Sequence, residues 1–339
     1  MPQIPTYDIL GIGNAIVDVL APVPEAFLSR HDMHKGAMAL IDAATAERLY
    51  TDLRAQTDSK SVIESSGGSA ANTCAVAALL GARVAYLGKV ADDALGKVFS
   101  HDIGAVGVHF PTAPAAISDA GGGIATARCL IAVTADGQRT MNTFLGACVT
   151  FGPDDVDPAL VADARVTYLE GYLFDQPAAQ AAFYKAAAAA HAAGRQVALT
   201  LSDAFCVHRH RAAFRQLVAG HVDILFANEA EIAALYETNT HAEAANLARH
   251  DVALAAITMS ENGSMIIKGG ETVLVPAQPT KVVDTTGAGD AYAAGFLAAH
   301  ANGLSIKQCA TLGSIAAAEI ISHYGARPQR DLSREIARL

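Results

Sequence analysis

Short apolar runs alternate along the chain with longer stretches of helical composition. The runs lack the strict alternation of a half-exposed strand, and glycine or polar residues bound them. Strands that are buried on both faces have this pattern, and helices between them favour a parallel sheet. The pattern predicts strands at Tyr7–Gly13, Val84–Gly88, Val166–Gly171, Gln196–Leu201, Asp223–Ala227 and Leu254–Met259.

Alanine-rich segments occupy several of the intervals and predict helices, since alanine is the best helix former. The clearest spans residues 176–194, with a proline in its first turn and a glycine just past its end. Ala291–Ala299 is almost wholly apolar and predicts a buried helix that ends near Gly303. Before that helix, Val282 and Val283 predict the end of a strand.

Two regions interrupt this alternation. Residues 17–42 contain two prolines and the strand-like AMALID, and residues 111–142 contain GGG, an apolar run and an ADGQ turn that predict a hairpin. We interpret both as β insertions that cover a site, with edge decoration as the alternative, because long excursions from compact domains are usually functional. The predicted domains are an α/β core of residues 1–16, 43–110 and 143–339, and a small β lid of residues 17–42 and 111–142.

The composition restricts the class of protein. Hydrophobic residues make up 52% of the chain and charged residues 17%, which permits a large core and disfavours disorder. No apolar run is long enough to span a membrane, and the first residues lack the features of a signal peptide. The net charge of −10 argues against nucleic acid and anionic membranes as partners, but it does not exclude a small phosphate ligand.

The cysteines and histidines predict neither disulfides nor a zinc site. The five cysteines are scattered, odd in number and never spaced as CxxC, which favours a reducing, cytoplasmic compartment. His208 and His210 could suggest a metal, but a solvated, basic helix start is the interpretation that we favour.

The segment VVDTTGAGDAYAAGF places Gly287 and Gly289 on a loop that enters a helix. Unpaired N–H groups and the positive end of the helix dipole make such a loop suitable for an anion. Asp290, a negative charge, directly follows. It is either a helix cap or a base, and phosphoryl transfer to an alcohol is a reaction in which an anion and a base must meet.

Two further motifs favour a pocket for a polyol. DILGIGNAIVDVL ends a strand in Gly-x-Gly, and its Asn14 and Asp18 could hold sugar hydroxyls; the third glycine of a dinucleotide fingerprint is missing. In SSGGSAAN, Gly67 and Gly68 open a helix and allow a ligand to approach the backbone, with Asn72 in the first turn.

The last two motifs follow neighbouring predicted strands. NEAEI at 228–232 could orient a hydrated Mg²⁺ or could be a solvated helix start. TMSENG at 258–263 is a candidate loop at the edge of a nucleotide. The chain lacks GxxxxGK[ST], the protein-kinase motifs and a GxSxG elbow, which excludes those three classes.

Together these residues resemble the ribokinase-like family of sugar and nucleoside kinases, also called the phosphofructokinase B family. GGSAANTCAVAALLG at 67–81 is similar to the first family signature, DTTGAGDAYAAGF at 284–296 to the second, and NEAEI to the Asn-x-x-Glu element. The resemblance implies an α/β, Rossmann-like ribokinase fold, with a parallel-rich central sheet covered by helices on both faces and a small β-sheet lid. It also implies ATP with Mg²⁺, and transfer of the γ-phosphoryl group to a hydroxymethyl oxygen.

Within the family, the chain resembles the adenosine kinase branch. GNAIVD at 13–18 and HYGARP at 323–328 are similar to that branch, and Ser69 stands where ribokinases usually carry Lys. Ser260 departs from the Gly of many members. The resemblance implies conversion of adenosine to AMP by a monomer or homodimer. A kinase of a free sugar such as ribose or fructose, and a catalytically silent ligand-binding regulator, are the alternatives.

The resemblance also assigns roles to residues. Asp290 would be the base, kept ionised by the helix dipole, and the backbone of Gly287, Ala288 and Gly289 would stabilise the transferred phosphoryl group. The residues implied for the substrate are Asn14, Asp18, Gly67, Gly68, Ser69, Asn72 and Arg139, with Ser69 at the purine base. Those implied for the nucleotide are Asn228, Thr258, Gly263 and Thr285.

Two ions complete the set that the resemblance implies. Glu231 would hold Mg²⁺ through water, and Asp284 and Thr286 match positions that hold a monovalent cation such as K⁺ in some members. A helix N-cap is the alternative for Asp284, and a salt bridge at the flank of the hairpin is the alternative for Arg139.

Overall fold

The structure is a computed structural model that describes residues 4–56, 61–116 and 124–339. Its strands are β1 Tyr7–Ile12, β2 Ile16–Pro22, β3 Met38–Leu40, β4 Ile63–Gly67, β5 Val84–Leu87, β6 Val108–His109, β7 Ala127–Val133, β8 Arg139–Phe144, β9 Ala164–Glu170, β10 Gln196–Thr200, β11 Ile224–Asn228, β12 Leu254–Thr258, β13 Ser264–Lys268 and β14 Glu271–Val275. Its α-helices are α1 Glu25–Arg30, α2 Ala43–Gln56, α3 Ser69–Leu79, α4 Ala94–Ala105, α5 Pro158–Ala162, α6 Pro177–Ala192, α7 Ala204–His221, α8 Glu229–Tyr236, α9 His241–Asp251, α10 Ala288–Ala301 and α11 Ile306–Ile320.

The larger sheet has nine strands in the order β14-β13-β12-β11-β10-β9-β1-β5-β6. The strands from β12 to β6 in that order are parallel, and β13 and β14 add an antiparallel edge. Successive side chains of β1 enter different cores, Ile9 on one face of the sheet and Leu10 on the other. Helices cover both faces, so the predicted α/β fold with a parallel-rich sheet is confirmed.

All six predicted strands of this sheet are confirmed, with boundaries that shift by one or two residues. The helices at 176–194 and at Ala291–Ala299 are confirmed as α6 and α10. The strand predicted to end at Val282 and Val283 is wrong. Both residues are exposed in an irregular segment, where Val283 donates only to the carbonyl of Ile321, at 2.8 Å. Their local β preference has no neighbouring strand to pair with.

The second sheet has five strands in the order β3-β8-β7-β2-β4. Its β7 and β8 form the predicted antiparallel hairpin, whereas the predicted GGG lies outside the described residues. Strand β4 also belongs to this sheet, because it pairs with β2, although the predicted boundaries assigned residues 43–110 to the core. Helix α2 packs against β7 and β8. The division of the chain into a core and a lid stays a prediction.

The described residues bear on three further expectations. Cys74, Cys129, Cys148, Cys206 and Cys309 are all buried free thiols. His208 and His210 lie in α7, where His210 contacts Asp175 at 2.8 Å. In the part of the chain that the structure describes, no helix combines the length and the apolar character that a membrane span requires.

Candidate active site

Asp290 lies in the first turn of α10, at the edge of the large sheet where its parallel strands end. Ser69 Oγ donates to Asp290 Oδ1 at 2.6 Å, and Asn72 Nδ2 donates to Oδ2 at 3.2 Å. Both donors belong to the first turn of α3, which packs against α10. The fold therefore brings together two glycine-rich motifs that are more than 200 residues apart, and the carboxylate of Asp290 accepts hydrogen bonds from both donors.

The environment of Asp290 raises the pKa of its carboxyl group toward neutral pH. Burial raises the pKa of Asp290 to about 6, and the hydrogen bonds from Ser69 and Asn72 and the charge of Arg327 oppose this rise. The carboxylate is therefore mainly ionised at pH 7. A carboxylate with this pKa can accept a proton at neutral pH more readily than an ordinary aspartate can.

The loop before Asp290 has the geometry of an anion site. Gly287 is left-handed, with φ of 79°, and a Cβ at this position would lie 2.8 Å from the Cβ of Ala326. Among the described residues, the N–H groups of Gly287 and Gly289 have no acceptor. The N–H of Ala288 donates to the carbonyl of Thr285 at 3.2 Å, so this predicted donor is engaged in the turn. Two of the three predicted donors thus remain unpaired at the positive end of α10.

Glu170 connects the loop after β1 to the start of α3, and the sequence analysis did not predict it. Its Oε1 accepts from the backbone N–H of Asn14 at 3.2 Å and from Asn14 Nδ2 at 2.7 Å. Its Oε2 accepts from the N–H of Ala70 at 2.7 Å. The side chain is fully buried, and burial raises the pKa of Glu170 to about 7. An acid that ends an apolar strand at the ligand edge of a parallel sheet was the signal available.

Asp18 and the two glycines of GGSAAN lie next to this cluster. Strand β2 pairs with β4, and a Cβ on Gly67 would lie 2.5 Å from the Asp18 carboxyl group. Gly68 has φ of 93°, and a Cβ there would lie 2.2 Å from the carbonyl oxygen of Asn14. Burial raises the pKa of Asp18 to about 6, against the charges of Arg327 and Arg139. The predicted polyol-binding residues therefore do come together.

Arg327 is the second residue that the sequence analysis did not assign. Its Nη1 donates to Asn72 Oδ1 at 2.9 Å, and its Nη2 donates to the carbonyl oxygen and the hydroxyl of Ser66, both at 2.8 Å. The segment HYGARP, which contains Arg327, indicates the family resemblance but no role for its arginine. No spacing rule connects Arg327 to a helix start that precedes it by 255 residues.

Arg139 forms an ion pair with Asp284, and the side chains of both residues are only 10% exposed. Asp284 Oδ1 also accepts from the N–H and the hydroxyl of Thr286, at 3.0 and 2.7 Å. Arg139 therefore takes the salt-bridge role, with a partner in the glycine-rich loop. The N-cap alternative for Asp284 is wrong, because Gly287 occupies that position of α10.

Asn228 and Glu231 hold each other at the start of α8. Asn228 donates to Glu231 from its N–H at 3.0 Å and from its side chain at 2.7 Å, and the N–H of Glu231 donates back to Asn228 Oδ1 at 2.9 Å. Glu231 is only 6% exposed, and burial, aided by the charges of Asp203 and Asp290, raises its pKa to about 7. The alternative of a solvated helix start therefore does not describe Glu231.

Three of the predicted nucleotide residues, Asn228, Thr258 and Gly263, lie at or next to the ends of neighbouring strands. Thr258 ends β12 opposite Asn228 at the end of β11, and Thr285 is exposed. Gly263 has φ of 86°, and a Cβ there would lie 2.0 Å from the carbonyl oxygen of Val275, so the backbone itself requires this glycine. Ser260 has φ of 50°, a left-handed conformation that glycine adopts more readily than serine does.

Comparisons with known proteins agree with this geometry. A profile described as pfkB family carbohydrate kinase matches residues 38–331. The chain belongs to the pfkB family.

Its relatives in the family include nucleoside and sugar kinases. The adenosine kinase of Sinorhizobium meliloti has a solved structure that is 50% identical and covers 98% of this chain and 99% of its own, with a TM-score of 0.87. A probable sugar kinase from Rhizobium etli CFN 42 is 47% identical and covers 99% of both chains, also with a TM-score of 0.87. The adenosine kinase of Saccharomyces cerevisiae is 27% identical and covers 94% of this chain and 96% of its own.

Proposed function

We propose that this pfkB family member transfers the γ-phosphoryl group of ATP to the hydroxymethyl oxygen of a nucleoside, and that the nucleoside is adenosine. The observation that carries the proposal is Asp290, held by Ser69 and Asn72 beside the unpaired N–H groups of Gly287 and Gly289. Full-length similarity to proteins named adenosine kinase supports the choice of acceptor.

The chemical step assigns one role to the carboxylate and another to the loop. Asp290 accepts the proton of the acceptor hydroxyl while that oxygen forms a bond to the γ-phosphorus, and the bond from phosphorus to the β-phosphate oxygen breaks to release ADP. The N–H groups of Gly287 and Gly289 donate to the phosphoryl oxygens as charge develops. A positioned base contributes about 10²–10⁴ in rate.

The sugar pocket follows from the same contacts. Asn72 contacts Asp290, Gly68 approaches the carbonyl of Asn14, and Asn14, Asp18, Gly68 and Asn72 would hold the ribose. The hydroxyl of Ser69 donates to Asp290. We therefore propose that Ser69 orients the base Asp290, in place of the contact with the purine ring that the resemblance implied.

The contacts support a site for Mg²⁺ better than a site for a monovalent cation. Glu231 is fixed by Asn228, and with a pKa raised to about 7 it is about half ionised at neutral pH; it fits the role of holding Mg²⁺ through water, and a nearby cation would favour its ionised form. Bound Mg²⁺ would neutralise phosphate charge. The carboxylate of Asp284 is already occupied by Arg139 and Thr286, so these contacts do not support a monovalent cation at Asp284.

A kinase of a free sugar is the second candidate, because a probable sugar kinase is 47% identical over nearly the whole chain. The two candidates share Asp290 and differ in the acceptor. The five buried free thiols fit a reducing cytoplasm, which we propose as the compartment.

The test measures ADP release from Mg-ATP with adenosine, inosine, ribose and fructose as acceptors. We expect turnover with adenosine and none with ribose. Turnover with a free sugar alone would replace the nucleoside with the second candidate. Binding of adenosine without turnover on any acceptor would refute a kinase and favour a catalytically silent regulator.

A further inference from the structure

The guanidinium of Arg327 fixes which way the side-chain amide of Asn72 points. An amide carries one acceptor oxygen and one donor nitrogen. Arg327 Nη1 donates to the oxygen at 2.9 Å, which leaves the nitrogen directed at Asp290 Oδ2, 3.2 Å away. Asn72 is only 7% exposed, so little water is available to replace either contact. Reversal of the amide would place its nitrogen against the guanidinium and its oxygen against the carboxylate.

Arg327 is itself held on both sides by the fold. Glu319 Oε1, at the end of α11, accepts from the N–H groups of Gln329 and Arg330, both at 2.9 Å. On the other side, Ala326 contacts Gly287, where the missing side chain allows the two backbones to approach. The residue that orients Asn72 is therefore tied to the same glycine loop that would bind the phosphoryl group.

The second partner of the guanidinium is equally fixed. Arg327 Nη2 donates to both the carbonyl oxygen and the hydroxyl oxygen of Ser66. Asp102 in α4 accepts from the Ser66 hydroxyl at 2.5 Å and from its N–H at 2.7 Å. A chain of hydrogen bonds thus runs from Asp102 through Ser66, Arg327 and Asn72 to Asp290. Charged and hydrogen-bonded networks of this kind hold side chains in one arrangement.

The charge of Arg327 faces three carboxylates, those of Asp18, Asp102 and Asp290. It opposes the rise of the pKa that burial imposes on Asp18 and on Asp290. The other titratable groups that face Asp290 favour its protonated form or carry no positive charge; they are Asp18, Glu170, Glu231, Tyr168 and Tyr172. The positive charge of Arg139 lowers the pKa of Asp18 in the same way as that of Arg327.

We propose that Arg327 is a positioning residue for this site: through the side-chain amide of Asn72 it holds Asn72 and Asp290 in one mutual orientation. The inference rests on the proposed phosphoryl transfer. The hydrogen bonds of Arg327 go to Asn72 and Ser66, so Arg327 acts on Asp290 through Asn72.

The first experiment compares Arg327→Gln and Arg327→Lys with the wild type, measuring kcat and KM from about pH 5 to pH 9. We expect Arg327→Gln to lower kcat about 10- to 100-fold, the range of one hydrogen bond to a charged group, and to move the acid limb of the profile to higher pH. Arg327→Lys should keep the acid limb near its wild-type position while kcat stays low, because an ammonium group lacks the two-pronged geometry.

Arg330→Gln is the matched control. Arg330 lies three residues along the same segment, with a side chain that is 53% exposed and paired with Glu335. It should leave kcat and the acid limb unchanged. A loss of thermal stability in Arg327→Gln with kcat and the acid limb unmoved would show a merely structural role and would overturn the inference.

A double-mutant cycle with Asn72→Ala tests the route of the effect. If Arg327 acts through Asn72, Arg327→Gln should lower kcat by a much smaller factor in the Asn72→Ala background than in the wild type. An equal decrease in kcat in both backgrounds would refute this route. Should Arg327→Gln fail to fold, Arg327→Lys decides, since wild-type kcat there overturns the orienting role. A wild-type chain without turnover refutes the proposed function, and an active one with a normal Arg327→Gln refutes only this inference.

Discussion

Replacing Asp290 with asparagine should separate activity from stability. The substitution keeps the shape of the side chain and removes its charge. The remaining oxygen still accepts from the Ser69 hydroxyl. The new NH₂ group, however, faces the NH₂ of Asn72, which cannot turn away because Arg327 donates to its oxygen. The variant therefore loses the base and gains one poor contact.

The magnitudes follow from the pKa of the carboxylate. Turnover should fall about 10²–10⁴-fold with the loss of a general base. The pKa of Asp290 is raised from 3.8 to about 6, so its ionised form costs the folded state at most about 3 kcal/mol above pH 6. Because the side chain is only half-buried, we take about half of that value. The facing NH₂ groups cost about 1 kcal/mol. Above pH 7 the variant should then be no less stable than the wild type.

The sign of the pH dependence is specific. The folded wild type takes up its proton near pH 6, whereas the unfolded chain does so near 3.8, so the wild type gains stability as the pH falls from about 7 to 4. As the pH falls from about 7 to 4, the free energy of unfolding of Asp290→Asn should therefore decline relative to that of the wild type.

The assay combines ADP release at saturating adenosine with urea unfolding at pH 8 and pH 5. Glu243→Gln is the control, because Glu243 is an exposed carboxylate in the first turn of α9 and should leave turnover unchanged. Turnover near the wild-type value in Asp290→Asn would refute the base. A loss of more than about 2 kcal/mol at pH 8 would refute the reasoning from burial.

Two other substitutions test the contacts that surround the base. Glu170→Ala leaves three buried N–H donors unpaired, at about 1–3 kcal/mol each, so we expect a loss of at least about 3 kcal/mol in urea unfolding. Glu170→Gln keeps one acceptor oxygen but turns its NH₂ group toward an N–H donor, so we expect a smaller loss, of about 1–3 kcal/mol, and a raised KM for the acceptor. An unchanged KM would contradict the role of Glu170 in holding Asn14. Arg139→Gln should lower the free energy of unfolding by about 1–3 kcal/mol in the same measurement, because Asp284 loses an ion-pair partner that is shielded from water. Arg139→Lys should recover part of this loss, and equal losses in both variants would count against the ion pair.

Much of the architecture was predictable from the sequence because it rests on local rules. Buried parallel strands such as those at 196–200 and 254–258 are continuous apolar runs, and helix α6 begins at a proline and ends before a glycine. Asn14 follows the end of such a strand and was expected at the ligand edge of the sheet, whereas Asp290 was predicted from the glycine-rich loop that enters a helix.

Local preference was not sufficient where a strand needs a partner. Val282 and Val283 have the composition of a strand but no neighbouring strand to pair with. Strand β4, in contrast, contains ESSG, which favours no strand by composition, and it forms one because β2 offers its edge. Strand pairing is a property of the neighbour as well as of the segment itself.

The sequence by itself determined six of the parallel strands of the large sheet, the alanine-rich helices, the glycine-rich loops and the acid that follows them. Only the tertiary structure decided which side chains hold that acid. Glu170 joins Asn14 across 156 residues, and Arg327 joins Asn72 across 255. Such contacts arise when the ends of parallel strands meet at one edge of the sheet, and burial there raises the pKa of the clustered acids. Neither effect depends on spacing along the chain, so no periodicity or motif contains it.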